Sequence, residues 1–194
     1  MSAPASGPGW IASDEVALRV RTLVAENLEL EPEEVTLESS FFELGAESLD
    51  LLDVAFSLES EYGISFPRTD LLERASDHFG EDALVKDGLV TDLGLQLLRE
   101  GMPELDPDLV KPGLRDLDVA QSITVGSFAR ITQRLIDAKA EMPRTCSECG
   151  GTLVESAAMP EFECEGCGRI EPLPSGDEIL LQDLIDLHER AVAS

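Results

Sequence analysis

Positive charge is what this chain has least of. Fourteen Lys and Arg stand against 40 Asp and Glu, a net charge of −26 over 194 residues. A field of that sign repels nucleic acid phosphates and anionic membrane surfaces, and it favours basic protein partners. Nucleic acid binding is excluded on this ground. Long apolar runs are missing too, since nothing reaches the roughly 18 consecutive apolar residues that a bilayer span requires. The opening stretch MSAPASGPGW has neither the basic nor the apolar region of a secretory signal. The expectation is a cytoplasmic chain without membrane insertion. Histidine is reduced to His78 and His188, each isolated from any nucleophile, so no catalytic constellation emerges and a non-catalytic protein is expected. Cysteine is confined to four residues in one pattern, described below. What is present in quantity is hydrophobic sequence, 43% of the chain, enough for a buried core.

The most informative stretch is FFELGAESLDLLDVAFSLESEYGI, residues 41–64. A glycine-bearing loop gives way there to an acidic helical pattern that starts at Ser48. Placed at 100° per residue, Leu51, Val54, Ala55, Leu58 and Tyr62 share a face about 100° wide, the width of a core-facing stripe. A second apolar group, Leu49, Leu52 and Phe56, lies on another side, bordered by Asp50, Asp53 and Glu59. Apolar residues rimmed by carboxylates make a docking surface for basic partners, because charge steers encounter and the apolar centre supplies contact energy. A hydroxyl at a helix start, beside unpaired N–H groups and the positive end of the helix dipole, is placed to carry a phosphate ester. The plainer reading makes Ser48 an N-cap and the acids a solvated face.

Residues 14–64 resemble the acyl carrier protein family. The opening helix SDEVALRVRTLVAENL, the loop ELEPEEVTLESSFFELGAES and the motif Glu47-Ser48-Leu49 carry the resemblance, and ITVGSFARITQRLI, residues 123–136, is similar to the family's last helix. Two departures stand out. Glu47 replaces the usual Asp before the serine, and about 60 residues separate Ile64 from Thr124 where the family has a short link and a short helix. The resemblance implies a 4′-phosphopantetheine arm on Ser48, transferred from coenzyme A by a phosphopantetheinyl transferase. The arm's thiol then holds acyl intermediates as thioesters for fatty acid, lipid or polyketide-type biosynthesis. Glu47, Leu49, Asp50, Leu52, Asp53, Phe56, Glu59 and Glu61 become the residues that meet the transferase and the acyl-loading, condensing or acyltransferase enzymes, through basic docking patches on those partners. An aminoacyl or peptidyl carrier of a nonribosomal pathway, and an unmodified carrier-like adaptor, remain as alternatives.

Around this segment the chain is punctuated clearly. Ser13 is placed to cap a first helix with Val16, Val20, Leu23 and Val24 at helical spacing. Phe41, Phe42 and Leu44 are expected to anchor the long loop 29–47. In the insertion, Pro67 opens an apparent helix PRTDLLERASDHF, Asp87-Gly88 marks a tight hairpin in residues 83–91, Thr91 caps a helix DLGLQLLREGM, and one more turn falls at PGLRDL. The insertion either only packs on the bundle or offers a partner-selective surface.

The four cysteines fall as Cys146-x2-Cys149 and Cys164-x2-Cys167, 14 residues apart, each pair followed by glycine. Two cysteines in one tight turn reach the same ion, and four thiolates complete a tetrahedral shell, so the spacing fits structural Zn2+ in a zinc ribbon with strands near GTLVES and EFECE. Iron has the same ligand set, and two disulfides are the alternative. Between Met142 and Pro172 only Arg144 and Arg169 face six glutamates, which makes the ribbon a poor phosphate binder. Ser175 to Glu178 has capping-box spacing ahead of a last helix striped by Leu180, Leu184, Leu187 and Ala191. The expected fold is mainly α. A flexible leader (1–10) precedes an acyl-carrier-like four-helix bundle (11–141) with a helical and hairpin insertion at about 66–122. A small β zinc ribbon (142–174) and a C-terminal helix (175–194) follow.

Overall fold

The computed structural model describes residues 12–156 and 159–193; the expected leader lies outside them. Among the described residues the chain is mainly helical, with seven helices and two small antiparallel sheets. No helix among them is long and apolar enough to cross a membrane.

Helix α1 (Asp14–Asn27) starts where Ser13 Oγ accepts the N–H of Val16, and it buries Val16, Val20, Leu23 and Val24. Helix α2 (Ser48–Tyr62) buries Val54, Ala55 and Leu58 and stops at Gly63, whose φ of 59° lies in the left-handed region. Helix α1 packs against both α2 and α6 (Val125–Glu141), around a core that includes Phe41, Phe66 and Phe128. The Phe128 ring lies 4.6 Å from Phe41 and 4.9 Å from Phe66. The long loop is fastened to the start of α6 by backbone bonds: Phe41 N–H to Ile123 O, Val125 N–H to Ser39 O and Gly126 N–H to Leu37 O, at 2.8–3.1 Å.

Phe42 corrects one expectation. The loop makes a helical turn, with Leu44 N–H donating to Ser40 O and Ala46 N–H to Phe41 O. Positions 41 and 44 therefore share the inner side of the turn, while Phe42, about 100° away, is exposed.

The insertion forms a second core. Helix α3 (Leu71–Phe79) begins at Asp70, whose carboxylate accepts the N–H groups of Leu72 and Glu73. Pro67 does not open it as expected. Residues 65–69 are instead pinned to the start of the last helix, α7 (Gly176–Ala193): Gly176 N–H donates to Ser65 O, and the Asp177 carboxylate accepts the N–H groups of Arg68 and Thr69, all at 2.8–3.0 Å. Strands β1 (Val85–Lys86) and β2 (Leu89–Val90) form the expected hairpin, with Asp87 and Gly88 both at positive φ. Thr91 Oγ1 accepts the Gly94 N–H and so caps α4 (Asp92–Gly101). A Cβ on Gly94 would stand 2.5 Å from Leu84 O, so α4 seats on the hairpin only through glycine. The further turn lies later than PGLRDL: α5 spans Asp116–Gln121, because Gly113 at φ 95° breaks the chain and Leu114 is buried in the second core.

Helix α7 answers a question its sequence leaves open. Ile179 and Leu180 enter the first core, and Leu184 and Leu187 enter the second, so α7 joins the bundle to the insertion. Each such buried side chain contributes roughly 2 kcal/mol of transfer free energy. The same seam holds two half-buried bidentate ion pairs from α6, Arg130 to Glu104 at 3.0–3.1 Å and Arg134 to Asp183 at 2.7–2.8 Å.

Residues 142–174 fold around β3 (Leu153–Glu155), β4 (Glu161–Cys164) and β5 (Ile170–Pro172), in sheet order β3-β4-β5. The third strand was not expected from sequence. Phe162 is fully buried, with the Arg144 guanidinium 4.3 Å from its ring centre.

Candidate functional site

The start of α2 is set by its neighbours rather than by Ser48. Glu47 is the N-cap, and its N–H donates to Asp50 Oδ2 at 2.7 Å. Ser48 is thus the first helical residue and not the cap. Its side chain is exposed, and its hydroxyl makes no hydrogen bond within the described residues. The oxygen stands free at the positive end of the helix.

The second apolar group of α2 lies open to solvent: Leu49 is 70% exposed, Leu52 41% and Phe56 53%. The acids around it divide into two sets. Asp53 is exposed and has no cationic partner among the described residues, and Asp50 is held by the Glu47 N–H. Glu59 instead accepts from Arg68 at 2.5 Å and from the Phe66 N–H at 2.6 Å. Glu61 pairs with Arg19 at 2.7 Å, and this guanidinium holds its carboxyl below the ordinary range. Arg68 also lies 4.3 Å above the Phe56 ring. The negative charge of Glu59 and Glu61 is largely answered within the chain, so the free charge of this face is concentrated at the serine end. Sequence reasoning missed Arg19 and Arg68 because they come from α1 and from the segment after α2, 42 and 9 residues from their partners.

The four cysteine sulfurs all lie within 4.8 Å of one another. Cys149 and Cys164 are 3.4 Å apart, and Cys146 and Cys167 are 3.8 Å apart. Disulfide sulfurs would sit about 2.05 Å apart, whereas a tetrahedron of ~2.3 Å Zn–S bonds sets its sulfurs about 3.8 Å apart. The donor set and its spacing fit a metal ion. Two equivalent turns build it. Gly150 N–H donates to Cys146 O and Gly168 N–H to Cys164 O, and both glycines have φ 72°. The N–H groups of Gly151 and Gly166 point at Cys149 and Cys164 Sγ at 3.4 Å. Hydrogen bonding from the backbone N–H of Cys167 helps draw the Cys164 thiol down to about 7. Arg169, one of the two bases of this unit, is spent on Glu171 and Glu148. Both histidines stack edge-on against Phe79.

Residues 18–76 match the family defined as the phosphopantetheine attachment site. The acyl carrier proteins of two strains of Treponema pallidum are each 51% identical to this chain over 55 residues, 28% of this chain and 70% of theirs. No solved structure matches. The class is that of the non-catalytic phosphopantetheine carriers. Within it, the chain belongs to the acyl carrier protein family. Helices α4 to α7 and the four-cysteine unit lie outside the matched residues.

Proposed function

We propose that this chain is an acyl carrier whose 4′-phosphopantetheine arm is borne on Ser48, in the cytoplasm, and that it serves fatty acid, lipid or polyketide-type biosynthesis. The observation that carries this reading is the exposed, uncommitted Ser48 hydroxyl at the first position of α2, inside the matched segment. Ser48 Oγ would displace adenosine 3′,5′-bisphosphate from coenzyme A in a transferase, forming one phosphate ester and giving up its proton. When bound, the arm supplies a terminal thiol for acyl groups. The chain's own residues present that site: Glu47 and Asp50 fix the start of α2, while Leu49, Leu52 and Phe56 offer apolar contact to partner enzymes. Asp53 supplies steering charge, and Glu59 and Glu61 keep Arg68 and Arg19 folded onto the rim.

We assign a structural zinc ion to Cys146, Cys149, Cys164 and Cys167, because four sulfurs at these separations leave no open coordination position. The proposed division is a carrier bundle with its insertion (11–141), a zinc ribbon (142–174) and a terminal helix (175–194).

The steering role has a direct test. Asp53→Lys is the clean variant, because Asp50 also accepts a hydrogen bond at the helix start and its loss would cost about 1 kcal/mol of capping. Stopped-flow association with the transferase should be several-fold slower for Asp53→Lys at ~10 mM salt, where the Debye length is about 30 Å, and should converge on wild type at ~1 M, where it is about 3 Å. A rate ratio that does not change with salt would remove Asp53 from the docking face. The attachment itself is tested by the mass of the chain after treatment with transferase and coenzyme A.

A further inference from the structure

We propose that the outward face of the sheet β3-β4-β5 is a docking surface for a basic amphipathic helix of a partner protein. The inference is independent of the arm on Ser48, and it gives a role to the four-cysteine unit, which the family match does not cover.

Strand pairing sorts the residues of this sheet onto two faces. Leu153 lies opposite Cys164 and Glu155 opposite Phe162, so these four share one face. That face is turned inward. Phe162 and Cys164 are buried, and Glu155 pairs with Lys139 of α6, whose Nζ also donates to Tyr62 O at 2.8 Å. The other face carries Val154, Glu163 and Ile170 in line across the three strands, with Glu161 opposite Pro172 beside them. It lies open. Val154 is 39% and Ile170 55% exposed, and Glu163 and Pro172 are exposed as well.

The charge of this face is unanswered, in contrast with the rest of the unit. Glu148 and Glu171 pair with Arg169, and Glu155 with Lys139. Glu161, Glu163 and Glu165 have no cationic partner among the described residues. They follow one another along β4 and its end at the two-residue repeat of a strand, about 7 Å apart. Glutamate is disfavoured in strands and like charges in line repel, so a row of cations laid against these three stabilises the sheet.

Both edges of the sheet are closed to a further strand. Along β3, Leu153 N–H donates to Arg144 O at 3.0 Å and Thr145 bridges Thr152, while β5 ends in Pro172, which has no N–H to offer. A partner therefore meets the face. Val154 and Ile170 stand two strand spacings apart, about 9.5 Å, with Glu163 between them, and a helix roughly 10–12 Å wide covers that strip. Lys or Arg at every fourth position of such a helix recurs each ~6 Å, close to the repeat of the glutamates, and apolar side chains on either side of the basic stripe reach Val154 and Ile170. Three short strands make a small interface, of the kind used in transient encounters.

The test is titration of the isotope-labelled full chain with a synthetic helical peptide that has Arg at every fourth position and Leu on both sides of that stripe. A scrambled peptide of the same composition is the control, because a chain of net charge −26 attracts any cation. The largest amide shifts are expected in β3, β4 and β5, and the scrambled peptide should bind at least about fivefold more weakly. Val154→Thr combined with Ile170→Thr keeps the charge and the strand-forming shape, and it should weaken binding by a similar factor. Glu161→Gln combined with Glu163→Gln should flatten the dependence of binding on salt. Metal content and amide protection of β3 to β5 check that each variant folds. Shifts spread over the acidic helices, or equal binding of the scrambled peptide, would reduce the effect to general attraction and overturn the proposal. A folded Val154→Thr, Ile170→Thr chain that binds as wild type would overturn it too, and shifts confined to one edge strand would replace the face by strand pairing.

Discussion

Ser48→Ala is expected to abolish phosphopantetheinylation while leaving the fold intact and its stability within about 0.5 kcal/mol of wild type, as for a surface change away from any cap. The size of the first effect follows from chemistry, because alanine has no oxygen to form the ester. The smallness of the second follows from the geometry. Glu47, not Ser48, is the N-cap, and the serine hydroxyl holds nothing in place among the described residues. If serine had been the cap, its removal would have cost about 1 kcal/mol and the variant would have mixed two effects. Mass spectrometry after incubation with a transferase and coenzyme A reads the first outcome, and thermal melting reads the second. A variant that still gains the full mass would place the arm on another residue. A large loss of stability would show that Ser48 is structural.

The second large effect lies in the four-cysteine unit. Stripping the metal with a strong chelator, or replacing Cys164 with Ser, is expected to unfold residues 142–174 while the helices remain. The reason is the size of the unit's own core. Among its described residues only Leu153, Phe162 and the two cysteines Cys146 and Cys164 are buried, flanked by Met142 and Leu173. A core that small does not offset the ordering of about 30 residues, and structural zinc contributes on the order of 10 kcal/mol or more in comparable small units. Helix α7 should stay seated, since Asp177 and Gly176 tie its start to residues 65–69 and Asp183 ties it to Arg134. Hydrogen exchange reads the division: amides of β3 to β5 should lose protection and those of α1, α2 and α6 should keep it. Metal analysis of the untreated protein should find one ion per chain. Unchanged protection in the chelated protein would mean that the sheet stands without metal.

How far the sequence leads depends on whether a feature is local. The start of α2 and its two apolar faces are legible, because helical periodicity needs no partner to be read. The caps at Ser13 and Thr91, the Asp87-Gly88 hairpin and the Ser175–Glu178 box are legible for the same reason: each is a hydrogen bond or a backbone geometry within a few residues. The failures are tertiary. Pro67 looks like a helix start until Asp177, 109 residues beyond Arg68, takes up the Arg68 N–H and leaves Asp70 to cap α3. Phe42 looks like an anchor until the loop's turn spends the inner side on Phe41 and Leu44. Strand β5 is too short and polar to announce itself. The candidate attachment serine and the cysteine cluster are local motifs and could be named at once. The arginines that answer Glu59 and Glu61 reach them only once distant segments meet.

The central claim is that Ser48 carries the arm. The most direct measurement is the intact mass of the wild-type chain purified from its own host, followed by fragmentation to locate any added group. The account predicts an increment of one phosphopantetheine, with or without an acyl group, on the peptide that contains Ser48. A chain found always bare at Ser48 while the host's other carriers are loaded would contradict it.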